Sequence, residues 1–543
     1  MNKKHRNSTT GMNIAIIGGG ITGLTAAYEL TKKGHHVTVF EKEKTLGGLA
    51  HGFKPASPSQ GGPASPRPGS TRGGKSNWNW HLESAYHHLF TNDTAILGLI
   101  KELELTDKLI LTRPVTANFM SSSVIPGLTR DPSSLLNTGF RLDGRNDNAI
   151  LPFDSPTHLL TYPGLSILDK FRTGLLIIFI KLNPFWQPLE RITAKKLFTA
   201  IGGPTSWHLL WEPLMIGKFG KYADSICASW LWARIKKRTQ KLYYIEGGFH
   251  TLVSALEKAI KRRGGKIFTG TSVDNVHRSH SLASLRLRSG SFIIHSPRFS
   301  SGEAGHSSFD RVLLTIPTPI ASKLLSSCQL STARLAQAPA KRVNGQLSSS
   351  IPHLHAQTLI LETKEPILQG TTLRGCKVVP CEANGIYWLN IMDRSFPFLA
   401  VVAHTNMIDP KYYAGHHLTY FGNYLPDGHK YLSMTTKELY REFLPFIQRI
   451  RTTSNFKIQT SNLKMKSLQF KVLSLHLFTA PFAQPVHELH YSRRAPKLTT
   501  PIAGIFFANI DSIYPWDRGT NYAVELGQKA ANVICHSRAG GNP

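Results

Sequence analysis

Residues 13–23 read Asn-Ile-Ala-Ile-Ile-Gly-Gly-Gly-Ile-Thr-Gly, and this stretch decides the fold of the 543-residue chain. Asn13–Gly18 has the apolar character of a short buried strand, and small and apolar residues recur at helical spacing over Ile21–Lys33, just before Gly34. A second strand, His36–Phe40, follows directly. The strand–helix–strand order predicts a right-handed crossover and a parallel sheet.

The glycines of this stretch have the spacing GxGxxG between a strand and a helix. Gly18 permits the tight turn, Gly20 lets the backbone approach a pyrophosphate, and Gly23 allows the helix to pack closely on the strand. The first helical turn, which contains Thr22, offers unpaired N–H groups to phosphates. Glu41 ends the second strand, where a carboxylate can accept hydrogen bonds from the hydroxyls of an adenosine ribose. The pattern predicts a dinucleotide site.

A second glycine pair, Gly47-Gly48, follows the acidic residue and lies between two leucines. Such a pair has no role in a plain NAD fold, but it suits a loop that runs close to the cofactor. The order GxGxxG, acid, Gly-Gly resembles the FAD superfamily of flavin amine oxidases, protoporphyrinogen oxidases and phytoene desaturases. UDP-galactopyranose mutases are more distant relatives of that superfamily. FAD is therefore the expected cofactor, and an NAD-only dehydrogenase is disfavoured.

The resemblance extends to the far end of the chain and is strongest over Gly504–Gly527. In the family this segment sets a helix N-terminus against the flavin, where backbone N–H groups stabilise negative charge on the reduced ring. The resemblance also includes Thr271–Val273, where the family's backbone reaches the adenine. The further cofactor contacts that it implies are Val273, Asp517, Gly519, Thr520 and Asn521.

The expected architecture is α/β, with a Rossmann-type FAD-binding domain interleaved with a second, α+β substrate domain. The FAD-binding domain is assigned to residues 12–90, 240–335 and 495–535, and the substrate domain to residues 91–239 and 336–494. Composition indicates a disordered basic extension over 1–11, low-complexity insertions over 54–77 and 121–148, and a disordered tail over 536–543.

Three places offer weak candidates for catalysis. The stretch Tyr86–Asp93 contains His87 and His88 and resembles the histidine-rich stretch near the flavin of UDP-galactopyranose mutases. Lys218, in the presumed substrate domain, could meet an anionic substrate or direct a water molecule. Tyr387 lies in an aromatic segment expected to roof the site, although core packing alone predicts the same residue type. No general base is assigned, and no metal site is expected.

The composition is globular, but the formal net charge is +31. This excess favours anionic membrane surfaces or acidic substrates, and nucleic acid is not expected because no recognition motif is present. The five cysteines form no CxxC pair, which fits a reducing cytosol. The apolar run Gly174–Ile180 is too short to span a membrane and is interpreted first as a buried helix, then as a peripheral contact. The expected location is the cytoplasm, with peripheral contact at the inner membrane as an addition.

The function predicted from these features is an FAD-dependent oxidoreductase that transfers a hydride from a small organic substrate to the flavin. A porphyrinogen, an isoprenoid and an amine all remain open as substrates, and oxygen and a quinone remain open as electron acceptors. Two alternatives stand beside it. One is a non-redox mutase acting on a nucleotide sugar, and the other is a protein whose insertions have spoiled its site.

Overall fold

The structure is a computed structural model that describes residues 11–55, 78–121, 141–142, 148–278, 291–296, 308–333, 351–368, 382–454 and 470–537. The expected N-terminal extension, the two insertions and the C-terminal tail fall outside these residues except at their edges. Inside the second insertion, Arg141–Leu142 is also described and pairs antiparallel with the strand Asn148–Pro152. Part of this insertion therefore belongs to a sheet, as do its end residues Ser121 and Asn148.

A five-stranded parallel sheet forms the first layer of the fold. Its strands, in spatial order, are Lys266–Phe268, His36–Phe40, Asn13–Ile17, Arg311–Leu314 and Ile505–Phe507. Every neighbouring pair in this sheet is parallel. The predicted parallel sheet and its crossover helix, Ile21–Lys32, are thus confirmed. Residues from the start, the middle and the end of the chain meet in one sheet.

The second layer is a large mixed sheet. Its strands are Leu109–Ser121, Arg141–Leu142, Asn148–Pro152, His353–Thr363, Glu382–Ile391, Ala400–Ala403, His417–Leu425 and Val472–Pro485, joined at one edge by Leu89–Phe90 and Leu242–Ile245. Most pairs are antiparallel, but Glu382–Ile391 runs parallel to Leu109–Ser121. Two small antiparallel sheets complete the strands: Gly52–Phe53 with Leu82–Glu83, and Asn275–Arg278 with Phe292–His295 and Ser308–Phe309.

Helices cover both sheets and form a separate bundle beside the mixed sheet. That bundle comprises Pro156–Leu160, Ile167–Leu182, Ala194–Gly202, Pro204–Ser206, the π-helical turn Trp207–Trp211, Glu212–Phe219 and Ala228–Lys237. The remaining helices are Thr94–Glu102, Phe249–Arg262, Thr318–Ala333, Thr436–Ser454 and Thr520–His536. Residues 151–240 are therefore mostly helical.

The parallel sheet and the mixed sheet share one hydrophobic core. Ile14 and Val39 of the parallel sheet belong to the same buried cluster as Tyr387 and Tyr420 of the mixed sheet. Since this cluster is continuous, close packing of its side chains fixes the position of one sheet relative to the other. Among the described residues, no helix combines the length and the apolar character that crossing a bilayer requires.

Candidate functional site

Two glycine loops lie back to back at the carboxyl end of the first strand. The Gly47 N–H donates to the Gly19 carbonyl at 2.9 Å, and Gly20 pairs with Gly47 in an isolated parallel bridge. Gly47 and Gly48 both have positive φ values, of 111° and 58°, which L side chains rarely adopt. The structure therefore brings together the two glycine motifs that the sequence predicts to form one site.

The glycines of the first motif are needed for different reasons. A Cβ atom at Gly23 would lie 2.1 Å from the Gly18 carbonyl oxygen, and one at Gly18 would lie 2.5 Å from Thr315 Oγ1. Among the described residues, the one atom within 4 Å of a Cβ atom at Gly20 would be Gly48 Cα, at 3.9 Å. Packing within the protein thus explains Gly18 and Gly23. Packing does not explain why residue 20 is a glycine, which is the result expected where a ligand approaches the backbone.

The helix Ile21–Lys32 begins at this loop without a side-chain cap. Gly20 is its N-cap residue, no side chain accepts from its first turn, and that turn, which contains Thr22, has no acidic residue. The orphan N–H groups and the partial positive charge of the helix end therefore face the open side of Gly20. This is the arrangement that holds a pyrophosphate.

Glu41 lies beside the first loop, where the sequence predicts a ribose contact. Its Oε2 accepts from the Gly19 N–H at 2.6 Å, and its Oε1 accepts from the Glu43 N–H at 2.8 Å. Burial raises the pKa of this carboxyl, although the backbone hydrogen bonds lower it. Each carboxylate oxygen can accept more than one hydrogen bond. Glu41 thus fixes the loop and keeps acceptor capacity for two hydroxyls.

The predicted adenine contact lies next to this carboxylate. The Thr271 N–H donates to the Glu41 carbonyl at 2.8 Å, and the Gly270 N–H donates to the Glu43 carbonyl at 2.8 Å. Val273 follows two residues later and packs against the hydrophobic cluster behind the parallel sheet. The structure therefore places Val273 in a segment that is bonded to the Glu41 loop.

The C-terminal helix Thr520–His536 packs directly against the first helix. A Cβ atom at Gly527 would lie 2.6 Å from the Thr22 carbonyl oxygen, so these two helices touch along their backbones. The N-terminus of the C-terminal helix has no side-chain cap and no acidic residue in its first turn. Gly519, its N-cap residue, is exposed, whereas Thr520 is buried. A second uncapped helix N-terminus thus stands close to the glycine loops.

The side chain of Asn521 has a role that the sequence does not predict. Its Oδ1 accepts from the Ala95 and Ile96 N–H groups, at 3.0 and 3.1 Å. These N–H groups belong to the first turn of the helix Thr94–Glu102, whose own N-cap residue makes no side-chain cap. Asn521 therefore caps a helix from a distant part of the chain, in addition to any backbone contact with a cofactor.

The geometry of the site can be compared with the parts of an FAD molecule. An open position beside Gly20, two uncapped helix N-termini and the acceptor capacity of Glu41 match the pyrophosphate, the flavin edge and the ribose of a dinucleotide. The residues present fit FAD.

The histidine pair lies between the glycine loops and the mixed sheet. His88 Nδ1 is 3.2 Å from the Tyr387 hydroxyl, and His87 Nδ1 is 2.7 Å from the Ala85 carbonyl oxygen. Burial lowers the pKa of His87 to about 4 and that of His88 to about 3. Both imidazoles are therefore neutral near pH 7. Of the candidates for catalysis, the structure brings His88 and Tyr387 together, whereas Lys218 belongs to a separate group.

That separate group, here called the cation cluster, consists of Lys218, Arg234, Arg238 and Arg518. Asp517 lies within it: Lys218 Nζ is 3.4 Å from Asp517 Oδ2, and Arg234 forms an ion pair with the same oxygen. The Trp230 indole N–H also donates to Asp517, at 3.0 Å. Although burial opposes it, Lys218 and Arg234 hold the pKa of Asp517 below its ordinary value.

Aromatic side chains line the cluster on the side of the mixed sheet. The guanidinium carbon of Arg518 is 4.7 Å from the centre of the Tyr424 ring, and Lys218 Nζ is 5.0 Å from the same ring. Tyr86 meets Trp388 edge to face at 4.9 Å between ring centres. Both of these residues are half-buried.

Sequence reasoning missed several residues of this site. Arg518 lies within Gly504–Gly527, where the family resemblance implies backbone contacts with the flavin and gives no role to this side chain. Arg234 and Arg238 are one helical turn apart, which is a detectable signal, yet nothing in their spacing connects them to Asp517. Tyr86 lies directly before the histidine pair. Its position opposite Trp388 is a tertiary contact that only the structure reveals.

Comparisons with known proteins agree with this geometry. The fold matches a protein from Exiguobacterium sp. 255-15, provisionally named a protoporphyrinogen oxidase, with a TM-score of 0.59 and 16% identity over 96% of this chain and 98% of that one. It matches a reduced UDP-galactopyranose mutase with a TM-score of 0.59 and 13% identity over 96% and 95% of the two chains. At these identities the likeness concerns the fold alone.

Curated relatives match over a much shorter stretch. A 4,4'-diapophytoene desaturase of Staphylococcus haemolyticus (strain JCSC1435) is 54% identical over 43 residues, which are 8% of this chain and 9% of the relative. The chain thus matches less than a tenth of the length of such relatives. In contrast, the profile of the family described as flavin containing amine oxidoreductase matches residues 21–535. The chain therefore belongs to the flavin-containing amine oxidoreductase family, which confirms the resemblance, the FAD cofactor and the oxidoreductase class predicted from its sequence.

Proposed function

We propose that this protein is an FAD-dependent oxidoreductase that takes a hydride from a small organic substrate held between the flavin and the mixed sheet. One observation carries the proposal: the C-terminal helix touches the helix that follows the first glycine loop, and it begins beside Arg518, which contacts the same mixed-sheet strand as Tyr86. A cofactor position and a substrate position are thus neighbours, as hydride transfer requires.

Each part of the cofactor has residues suited to hold it. Backbone N–H groups after Gly20, together with Gly48, would hold the pyrophosphate, and Glu41 would accept from the ribose hydroxyls. The N–H groups at Thr520 and Asn521 would face the pyrimidine edge of the flavin. When bound, FAD supplies the hydride acceptor and passes electrons on to a second acceptor.

The remaining side chains shape the substrate position. His87 and His88 are neutral near pH 7, since burial lowers the pKa of each. They therefore contribute hydrogen-bonding atoms without adding positive charge. His88 and the Tyr387 hydroxyl lie 3.2 Å apart and can orient one another beside the open face of Trp388.

Anaerobic mixing of the flavin-loaded protein with candidate substrates tests the proposal. Bleaching of the flavin spectrum by a porphyrinogen, an isoprenoid or an amine, followed by recovery with oxygen or a quinone, is the expected result. His88→Phe should slow bleaching without loss of flavin, and exposed Arg441→Gln serves as the matched control. A flavin that no organic reductant of these classes bleaches would contradict the proposal.

A nucleotide-sugar mutase is retained as a second candidate, because the cation cluster also suits a diphosphate. Such an enzyme would need reduced flavin and would produce no net oxidation. Incubating the reduced protein with UDP-galactopyranose under anaerobic conditions separates the two candidates. Isomerisation with no change in flavin absorbance favours the mutase, whereas flavin bleaching by an organic substrate favours the oxidoreductase.

We also propose a peripheral contact with anionic membranes. Of the twelve exposed large apolar side chains among the described residues, nine lie between Leu160 and Phe185. Ile167, Phe171 and Ile178 are 88%, 64% and 55% exposed on one face of the helix Ile167–Leu182. A helix with an unpaired apolar face and basic neighbours suits the boundary of a bilayer with negative headgroups. The net charge of +31 agrees with this partner.

Sedimentation with vesicles tests the membrane contact. The protein should bind vesicles that contain phosphatidylglycerol more strongly than vesicles of phosphatidylcholine alone, and less strongly as salt increases. Phe171→Ser combined with Ile178→Ser should abolish binding. Ile320→Ser, at an exposed position on the helix Thr318–Ala333, is the matched control. Equal binding by all three proteins would refute the proposal.

A further inference from the structure

The cation cluster carries a net positive charge, and its side chains have limited access to solvent. Three of its members are arginines, and Asp517 is the carboxylate that contacts the cluster. The Asp154 carboxylate also raises the pKa of Arg238. Three arginines and these two carboxylates leave a net charge of +1, or +2 when Lys218 is protonated. Arg238 and Arg518 form no ion pair with a carboxylate within the described part of the chain. Uncompensated charge away from water is costly, so such a place normally receives an anion.

The positive groups lie close enough to repel one another. Burial and the neighbouring Arg234 lower the pKa of Arg238 to about 10, and burial with Arg234 has the same effect on Arg518. Burial lowers the pKa of Lys218 well below its ordinary value, and Arg234 and Arg518 lower it further, while Asp517 raises it. The arginines remain charged near pH 7, and their repulsion would be relieved by a bound anion.

A buried histidine nearby has unsatisfied ring nitrogens. His487 is 2% exposed, and no described residue forms a hydrogen bond with either of its ring nitrogens. Burial lowers the pKa of His487 to about 4, with Asp517 and Lys218 among the charges that affect it, so it lies near the cluster. Since buried polar atoms are nearly always hydrogen-bonded, these nitrogens also indicate a missing polar partner.

The cation cluster lies close to the start of the helix that is expected to face the flavin. Arg518 is one residue before Gly519, the N-cap of the helix expected to face the flavin, and it contacts the Tyr424 hydroxyl. Tyr86 is affected by the charges of Arg518 and Arg234, and its ring meets Trp388. Positive charge and aromatic side chains therefore lie next to one another at the start of the helix expected to face the flavin.

We infer that the substrate is an organic anion, with a carboxylate or phosphate that binds Arg234, Arg238 and Arg518 and an unsaturated body that lies against Tyr86 and Trp388. This inference rests on the proposed function, because it names the substrate class of the same site. It also separates this protein from what the family name alone suggests. A positively charged amine would be repelled by the cluster.

Benzoate and benzylamine provide a direct test, because they share a ring and carry opposite charges near pH 7. Calorimetric titration of the full-length protein at constant ionic strength should show saturable binding of benzoate and at least tenfold weaker binding of benzylamine. Inorganic phosphate, as a third probe, measures the head group without the ring. Tighter binding of phosphate than of benzoate would identify phosphate as the head group.

Variants of the cluster complete the test. Arg518→Gln and Arg238→Gln should each weaken benzoate binding at least tenfold, whereas exposed Arg441→Gln should leave it unchanged. Flavin content is measured on the same samples. A flavin-loaded protein that binds benzylamine as tightly as benzoate, or whose benzoate affinity is unchanged by both variants, refutes the inference but not the proposed function. A flavin-free protein refutes the proposed function, and calorimetry still tests the cluster.

Discussion

Substitution of Gly20 by aspartate should change the affinity for FAD without lowering the stability of the fold. Gly20 has φ −73° and ψ 176°, an extended conformation open to any residue, and it is the N-cap of the helix Ile21–Lys32. Aspartate is a preferred N-cap residue and is favoured over glycine by about 0.3 kcal/mol. Within the described part of the chain, a Cβ atom here would meet no atom closer than Gly48 Cα, at 3.9 Å. The cofactor-free fold should therefore be as stable as wild type, or slightly more stable.

Flavin binding should respond in the opposite direction. A carboxylate about 4 Å from a phosphate charge is repelled by about 4 kcal/mol at an effective dielectric constant of 20. This repulsion corresponds to roughly a thousandfold loss of FAD affinity. Gly23→Ala is the matched contrast, because its Cβ atom would lie 2.1 Å from the Gly18 carbonyl oxygen. That variant should lose about 1–3 kcal/mol of folding stability, or more.

The assay combines two measurements on each purified variant. Urea unfolding of flavin-free protein gives the stability, and titration with FAD gives the affinity from the change in flavin fluorescence. Gly20→Asp should keep its unfolding midpoint and lose FAD binding, and Gly23→Ala should lose stability. Normal FAD affinity in Gly20→Asp would refute the placement of the pyrophosphate.

Three further predictions concern other parts of the site. Glu83 is buried and accepts a hydrogen bond from the Tyr244 hydroxyl, and burial raises the pKa of its carboxyl to about 7. The protonated carboxyl therefore stabilises the fold fully below about pH 4.5, and this stabilisation is lost as the pH rises through 7. Glu83→Gln should remove up to about 3 kcal/mol of that pH dependence, measured as the wild-type-minus-variant difference in urea unfolding between pH 5 and pH 8. Asn521→Ala should cost about 1 kcal/mol through the lost cap of the helix Thr94–Glu102, and an unchanged melting temperature would count against that role. Asp517→Asn should cost about 3 kcal/mol, since it removes the carboxylate that pairs with the cation cluster, and a more stable variant would contradict this account of the cluster.

The nucleotide site was predictable from sequence because its determinants are local. The strand before Gly18, the helix after it and the acid at Glu41 are set by short-range patterns, and the structure assembles them as expected. The packing of the C-terminal helix against the nucleotide-binding sheet and its first helix was predictable only through the family resemblance. Its contact at Gly527 joins residues about 500 positions apart, which no local pattern encodes.

The substrate side was far less predictable. Lys218 and Asp517 were singled out separately, for an anionic substrate and for the cofactor, and their contact came only from the fold. The cation cluster depends on two helices and the C-terminal return meeting at one place. Periodicity predicts such elements individually but does not specify how their side chains meet. The role of Asn521 as a cap for a distant helix is of the same kind.

The most direct test of the account is the nucleotide released when the purified, folded wild-type protein is denatured. The account predicts one FAD per chain, lost in Gly20→Asp and retained in the Arg441→Gln control. A folded protein that releases no flavin, and that stays colourless after incubation with FAD, would contradict the convergence of the two chain ends on one cofactor.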